Sequence, residues 1–397
     1  MFSHSRGHKS PEYLALIDIG SGTIGIGIVA FEESSPNPVF IYTHRIMLRV
    51  PTTQTKKSLD PRRVSEALLS ASLILSQEGS NALRDHNPKG KIHKLCIMCS
   101  SPWSETITKR VVYKNDTPFT VSHPLIDDLI QTAEQEMFGS LKELSEEQQD
   151  NLTVVEKTTL DVHLNEYAVQ NPIGMTATSV SLSHVTGLIP KEIVAAIHNV
   201  HDKLFPSSEL HVHTTLFTLF LVVRDLFPQN HSLCLIDITG EATELATIED
   251  GVLIQNKTIL YGSGTFLRDI MEKTGKPESD ILTLIRAYGD KTAVTPPDLK
   301  KYIDTYEEAL TALFTSVFEK NFIPPNIVLT THSPYEKLCT DMVQKSYEKA
   351  TKNKPLIMGM KNKIIDAIAG GPDNDIYLTI LARFFHKLKD IDEQKNS

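Results

Sequence analysis

Three things are scarce in this chain, and each scarcity removes a class of protein. Cysteine occurs four times in 397 residues, as Cys96, Cys99, Cys234 and Cys339, each within or beside an apolar run, so a disulfide framework is not expected. Cys96 and Cys99 form a Cys-x-x-Cys pair with His93 nearby, which is the pattern of half a zinc site. No second pair exists, and residues 94–100 read as a strand, so the thiols are taken as small buried hydrophobes. Long apolar runs are missing as well. The longest, residues 216–223, meets Arg224 and Asp225 far short of the roughly 20 residues a membrane span requires. Residues 1–10 are polar and read as a disordered lead-in, neither signal peptide nor anchor. Positive charge is in deficit: 40 Lys and Arg against 49 Asp and Glu leave a net charge of −9, which argues against a nucleic-acid binder. Small molecules or proteins are the expected partners, and the cytoplasm the expected location.

What is present is a globular chain, 40% hydrophobic and 22% charged, long enough to need two or more subdomains. One pattern occurs twice, at residues 16–27 and 235–246. Each copy is an apolar strand ending in an Asp, a tight turn of small residues, and a second strand. Twin hairpins far apart in one chain point to two like domains facing each other. A turn rich in Gly or Thr lets backbone N–H groups approach a phosphate, and an Asp at the strand end, Asp18 or Asp237, can hold the water shell of Mg²⁺. Together the hairpins would grip a nucleotide phosphate tail from both sides.

Strands are expected at 13–19, 23–31 and 39–50. A helix follows, opened by Asp60 and Pro61, with Val64, Leu68, Ala71 and Leu75 on one face. From about residue 91 the texture changes: strands at 95–98 and 111–114, an amphipathic helix at 123–138, and strands at 153–160 and 179–186, with a Glu-rich stretch at 141–150. Helices are expected at 190–204, 214–226, 265–273, 280–288, 297–320, 334–351 and 375–388, with strands at 252–259 and 326–330. The alternation of strands with crossover helices is the α/β signature. The division read from this is a lead-in at 1–10, a first half opening at 11–90, an inserted small α+β domain at 91–187, helices of the first half at 188–231, a second half at 232–355, closing helices at 356–389 and a tail at 390–397.

The residues Asp18-Ile19-Gly20-Ser21-Gly22-Thr23 resemble the phosphate 1 loop of the actin, Hsp70 and sugar-kinase superfamily, and residues 237–245 resemble its phosphate 2 loop. Two further stretches narrow the resemblance. Asn165-Glu166-Tyr167-Ala168-Val169, Asn171-Pro172-Ile173-Gly174-Met175 and His184-Val185-Thr186-Gly187 look like the run closing the inserted 1C (SHS2) subdomain of the bacterial cell-division protein FtsA family. Asp250-Gly251 and residues 261–270 are similar to the strand, turn and helix that follow phosphate 2 there. The resemblance spans about residues 13–388. It implies an α/β fold of two actin-like (ribonuclease H-like) halves, ATP with Mg²⁺ as ligand, and a filament-forming adaptor that tethers a tubulin-like FtsZ ring at the inner membrane face. It also implies a nucleotide site made of Asp18, Gly20, Ser21, Gly22, Thr23, Asp237, Thr239, Gly240, Thr243, Gly262, Gly264 and Thr331, with Asp18 and Asp237 on the metal through water. A relative, the pilus-assembly protein PilM, shares the architecture and docks a short peptide from a membrane partner.

Departures from the family pattern concentrate in the nucleotide loops. Phosphate 2 normally reads Asp, apolar, Gly, Gly, Gly, Thr, Thr, Asp; here Thr239 and Glu241 replace two glycines, Ala242 a third small position, and Glu244 the Asp. If Glu241 faced a phosphate, two unit charges about 4 Å apart would repel by on the order of 4 kcal/mol at an effective dielectric of ~20. That is nearly a thousandfold in affinity at about 1.4 kcal/mol per decade, unless Mg²⁺ screens the charge or the side chain turns away. In the adenosine loop the expected Gly-Gly is Thr331-His332, whose Cβ atoms remove the space for a purine. Ahead of phosphate 2, where actin-like ATPases position the attacking water, stands His213, a candidate catalytic residue for at most a weak ATPase.

The last helix carries Tyr377, Leu378, Leu381, Phe384, Phe385 and Leu388 on one side, with Arg383, Lys387 and Lys389 around it. It reads as the helix that closes the first half; an interfacial membrane helix is the other reading. Membrane contact is thus expected to be peripheral, through a partner. Three functions stay open: an FtsA-like adaptor that self-associates and takes an FtsZ-like partner, a PilM-like adaptor for a pilus-assembly membrane protein, and a sugar-kinase-like phosphotransferase.

Overall fold

A computed structural model describes residues 11–32, 37–48, 60–141, 149–288, 297–319, 322–360 and 375–395. The tail expected at 390–397 and the Glu-rich stretch at 141–150 fall partly outside these residues, as does the lead-in at 1–10 altogether. Among the described residues fourteen strands, β1 (Glu12–Ile19), β2 (Thr23–Phe31), β3 (Val39–Met47), β4 (Ile92–Cys99), β5 (Glu105–Thr120), β6 (Leu152–Leu164), β7 (Tyr167–Ala168), β8 (Thr176–Pro190), β9 (Glu209–Thr214), β10 (Leu233–Ile238), β11 (Thr243–Glu249), β12 (Val252–Ile259), β13 (Asn326–Thr331) and β14 (Leu356–Gly359), form three sheets. The helices used below are α1 (Pro61–Ile74), α2 (Ser80–His86), α3 (His123–Ser140), α4 (Lys191–Leu204), α5 (Thr215–Leu226), α6 (Ser263–Thr274), α7 (Glu278–Ala287), α8 (Pro297–Phe318), α9 (Glu336–Thr351) and α10 (Ile376–Lys395).

The first sheet runs β3-β2-β1-β4-β9 and the second β12-β11-β10-β13-β14. In each, the first three strands of the half are antiparallel neighbours and the last two run parallel to the central one. The repeat seen in the sequence is therefore a repeat of whole sheets with the same strand order. The central strands β1 and β10 are buried on both faces, as their unbroken apolar runs require.

Period-two alternation decides which face each residue takes. Ala15, Ile17 and Ile19 of β1 join a core with α1 and α4, and Cys234, Ile236 and Ile238 of β10 join a core with α6 to α9. Leu14 and Leu16, with Leu233 and Leu235, face the other way, into one core shared with α5 and α10. These two helices are thus a common layer between the sheets. Asp18 continues the row of Leu14 and Leu16, and Asp237 that of Leu233 and Leu235. Both carboxylates therefore look toward α10. That helix is buried from Ile376 through Ala382 and again at Phe384 and Phe385, which makes it the closing element that its apolar stripe predicts. Among the described residues no helix is long and apolar enough to cross a membrane.

Cap chemistry sets several helix starts. Asp60 accepts a hydrogen bond from Arg62 N at 3.0 Å, with Pro61 in the first turn of α1. Ser122 caps α3, again followed by Pro124.

The third sheet, β5-β8-β6-β7, is antiparallel, with α3 burying Leu129, Ala133 and Met137 against it. Its strands are longer than the sequence pattern predicts: β5 has 16 residues, β6 13 and β8 15. Val111, Leu164, Val180 and Leu182 of these strands pack in a core with α3, while the stretch of β5 from Tyr113 to Phe119 is largely exposed and carries no hydrophobic alternation to read. The Asn165-Glu166 pair makes the β6–β7 turn with φ of 50° and 74°, the left-handed region that a two-residue hairpin turn needs. Asn165 Oδ1 accepts from the backbone N–H of Thr178 and Ser179 and so ties this turn to β8.

Candidate functional site

The two turns after Asp18 and Asp237 lie tip to tip between the sheets. A Cβ added at Gly240 would stand 2.7 Å from Gly22 Cα, so the glycines touch with no space for a group between them. Hydrogen bonds stitch the contact. Glu241 N–H donates to Ser21 Oγ at 2.8 Å, Ser21 Oγ lies 2.7 Å from Thr239 Oγ1, and Thr239 Oγ1 donates to Ala242 O at 3.1 Å. Gly20 N–H closes its own turn on Thr23 O at 2.9 Å.

The first turn of α6 is spent on the second turn. Ser263 N–H donates to Thr239 O at 2.8 Å, and Gly264 and Thr265 N–H both donate to Gly240 O, at 2.7 and 3.0 Å. Gly262 has backbone of Thr239, Gly240 and Ala242 where a Cβ would stand. The amide donors that a helix N-terminus offers to an anion are therefore already used. Thr243 Oγ1 is likewise engaged, by Tyr261 O at 2.8 Å and the Tyr306 hydroxyl at 2.7 Å. Glu241 turns away from the cleft and is held by both terminal nitrogens of Arg268, at 2.6 and 2.5 Å, and by Thr265 Oγ1.

Arg45, from β3, occupies the space beside Asp18. Its Nη2 lies 2.8 Å from Asp18 Oδ2 and 2.7 Å from Asp375 Oδ1, its Nε donates to Asp375 Oδ2 at 2.8 Å and its Nη1 to Thr23 Oγ1 at 2.6 Å. One guanidinium does not neutralise two buried carboxylates equally. Burial disfavours both charges, yet Arg45 holds the Asp375 carboxyl below its usual range, while Asp18 is pushed up to about 6 by burial. On the other side, the Tyr377 hydroxyl donates to Asp237 Oδ1 at 2.7 Å, and burial pushes Asp237 up to about 8. Its antiparallel neighbour Glu244 is pushed up to about 7, again mainly by burial. His332, just past β13, packs on Tyr377 with ring centroids 4.6 Å apart; burial, with Arg45 nearby, pushes it down to about 3 and keeps it neutral.

All the residues named for the nucleotide site except His213 converge here: Asp18, Gly20, Ser21, Gly22 and Thr23 from one hairpin, Asp237, Thr239, Gly240 and Thr243 from the other, Gly262 and Gly264 behind the second turn, and Thr331 at the end of β13, paired in register with Ile238. Their arrangement does not fit a metal–nucleotide. The turns touch where a phosphate chain would run, Asp18 already has a cation, Asp237 takes its proton back near neutral pH, and His332 and Tyr377 pack, rings tilted by 49°, where a flat base would need space. Asp18 Oδ1 is buried without a partner among the described residues, as suits a carboxyl that is easily protonated.

His213 is held elsewhere. Its Nδ1 lies 2.8 Å from Glu156 Oε2, and its ring packs against Phe217, Phe384 and Phe385. Glu156 also accepts from Thr214 N and Oγ1, so this group fastens β6 of the third sheet to β9. The four cysteines are buried and free. Cys96 and Cys99, three apart on a strand, lie in the two different cores that β4 separates and cannot share a metal.

Arg45, Asp375 and Arg268 were not expected at the site, and Tyr377 was read only as part of the apolar side of the last helix. The signal for Arg45 was faint but present: a lone arginine in a strand whose antiparallel partner position is Gly25. A Cβ on Gly25 would overlap the guanidinium.

No protein-family model and no curated protein matches this sequence. Among solved structures, the chain is similar to a PilM–PilN type IV pilus biogenesis complex, with 12% identity and a TM-score of 0.53 over 94% of this chain and 98% of that one. A Bacteroides thetaiotaomicron protein described as having an actin-like ATPase fold and unknown function matches at 11% identity and a TM-score of 0.46, over 96% of this chain and 98% of that one. The ethanolamine utilization protein EutJ of Carboxydothermus hydrogenoformans matches at 10% identity and 0.46, over 96% and 92%. The fold is actin-like, two halves of matching topology around a central cleft. At these identities the likeness is one of fold.

Proposed function

We propose that this chain is an actin-fold adaptor that binds a peptide segment of a membrane-associated partner and no longer uses a nucleotide. The observation that carries the reading is the cleft itself: the two turns touch, Arg45 and Tyr377 hold Asp18 and Asp237, and the first turn of α6 is bonded to the second turn. A protein of this fold with a filled cleft retains its surfaces as means of action.

One surface suits a peptide. A groove of ≈ 240 Å³ between α5 and α10 is lined by Leu221, Val222, Pro228, Phe384 and Leu388, with Arg224, Arg383 and Lys387 set around Asp225. Arg383 and Lys387 both bind Asp225, at 3.0 and 2.8 Å. Three cations against Asp225 and Asp161 leave an apolar floor with a net positive rim, complementary to a short apolar segment carrying an acidic residue. Asp161 of β6 also acts electrostatically on Arg224. On this reading residues 91–187 are an inserted unit outside the groove lining, and contact with a membrane is indirect. PilM, whose name pairs it with PilN in the similar structure, supplies the analogy. An FtsA-like role shares the fold and differs in partner.

Fluorescence anisotropy with two peptide sets tests the proposal: cytoplasmic ends of pilus-assembly membrane proteins, and tails of FtsZ-like tubulins. Binding of the first set, weakened about tenfold or more by Leu221→Asp or Lys387→Glu, is the expected result. Binding of the second set alone would move the assignment to cell division, and binding of neither would overturn it.

A further inference from the structure

The filled cleft has a particular construction: a single helical turn of α10 is fastened to both halves at once. We propose that Arg45 and the turn from Asp375 to Tyr377 act as a tethered substitute for a metal–nucleotide, holding the two halves closed with no ligand bound.

Each part has a counterpart in what such a ligand would do. The Arg45 guanidinium stands as the cation between carboxylates, bridging Asp18 of the first half and Asp375 at the entrance to α10. Two residues further on, Tyr377 reaches the second half and donates to Asp237. Arg45 Cζ lies 5.9 Å from the centre of the Tyr377 ring, and His332 of the second half packs on that ring with the two planes tilted by 49°, so cation, phenol and imidazole form one contiguous group across the cleft. Where phosphates would separate the two turns, the turns bond directly through Ser21, Thr239 and Glu241 N–H. Gly25 leaves the hollow for the guanidinium, and Gly22 with Gly240 allow the final approach.

In a ligand-gated cleft the closed state is populated in proportion to bound ligand. Here the same kinds of contact are intramolecular, so closure is a property of the chain at any ligand concentration. This goes beyond the adaptor reading, since a peptide could dock between α5 and α10 whether or not the turns part.

Hydrogen exchange of the Glu241 amide, whose acceptor is Ser21 across the cleft, reports opening directly. Wild-type exchange at residues 239–243 and 20–23 is expected to be unchanged by millimolar Mg·ATP. Arg45→Gln is expected to raise exchange of both turns by on the order of tenfold or more, while amides within β1 and β10 stay protected. Tyr377→Phe, which removes one hydroxyl and keeps the ring, is expected to raise exchange chiefly at 239–243. Protection of the wild type by Mg·ATP would overturn the proposal, as would an Arg45→Gln protein whose turns remain as protected as before. Should Arg45→Gln fail to fold, unchanged exchange in Tyr377→Phe would overturn it alone. Peptide binding measured on the same variants keeps this outcome separate from that of the adaptor reading.

Discussion

Arg45 and Asp375 are 330 positions apart and form a two-point pair, Nε to Oδ2 at 2.8 Å and Nη2 to Oδ1 at 2.7 Å. The same guanidinium reaches Asp18, and the three residues are nearly buried, with side-chain exposures of 17%, 12% and 1%. Removing one partner of a buried ion pair strands the other's charge. Arg45→Met is therefore expected to destabilise the fold most, by about 3–5 kcal/mol. Asp375→Ala should cost less, because Asp18 remains for Arg45. Asp18→Ala should cost least, since it leaves a balanced one-to-one pair. Urea denaturation of the three variants checks the order; a larger loss for Asp18→Ala than for Arg45→Met would contradict this account of the charge balance.

Stability is expected to fall as pH rises through neutrality. Asp18, Glu244 and Asp237 have folded values of about 6, 7 and 8, against ordinary values of 3.8, 4.5 and 3.8. The folded state thus holds protons that the unfolded state has released. The stability these groups contribute is fully present below about pH 4 and is lost progressively as pH climbs to about 8, at up to about 1.4 kcal/mol per pH unit for each proton. Asp237→Asn should flatten the upper part of this dependence, between about pH 6 and 8. Denaturation midpoints of wild type and variant at pH 5.5 and 8.5 measure it, and parallel profiles would count against a protonated Asp237.

Mg·ATP titrated calorimetrically into the wild type is expected to give no binding heat. Restoring small residues in the eroded loops should not by itself change that, because the turns remain in contact. Glu241→Gly instead strands Arg268, whose side chain is 15% exposed, and is expected to cost about 2–3 kcal/mol, read as a lowered Tm. A Glu241→Gly, Thr331→Gly double variant that binds ATP tightly would show that the glutamate, and not the closed cleft, is the obstacle.

Gly25 and Arg45 should be energetically coupled. Gly25→Ala puts a Cβ into the guanidinium and is expected to destabilise by about 1–3 kcal/mol, as overpacking does. In an Arg45→Ala background the same change should cost much less. A double-mutant cycle with a coupling energy near zero would mean that Gly25 serves only the strand.

How much of this was legible beforehand follows the range of each interaction. Asp18 and Asp237 stood out because a strand end, a small-residue turn and a second strand are local features, and period two already puts each carboxylate in the row of Leu16 or Leu235. The Asp60-Pro61 start of α1 and the repeated hairpins belong to the same short-range chemistry. The long outer strands of the third sheet were less legible, because pairing between β5 and β8 holds exposed residues that carry no apolar rhythm.

By itself, then, the sequence determined the twin hairpins and the turns that end their central strands, since periodicity, caps and turn residues act over a few positions, while the edge strands β9 and β14 that complete the matching sheets came only with the structure. Only the tertiary structure decided what fills the space between those turns. Arg45 meets Asp375, and Tyr377 meets Asp237, through the packing of α10 between two sheets, and polar contacts made over 330 and 140 positions leave no local pattern in a single chain.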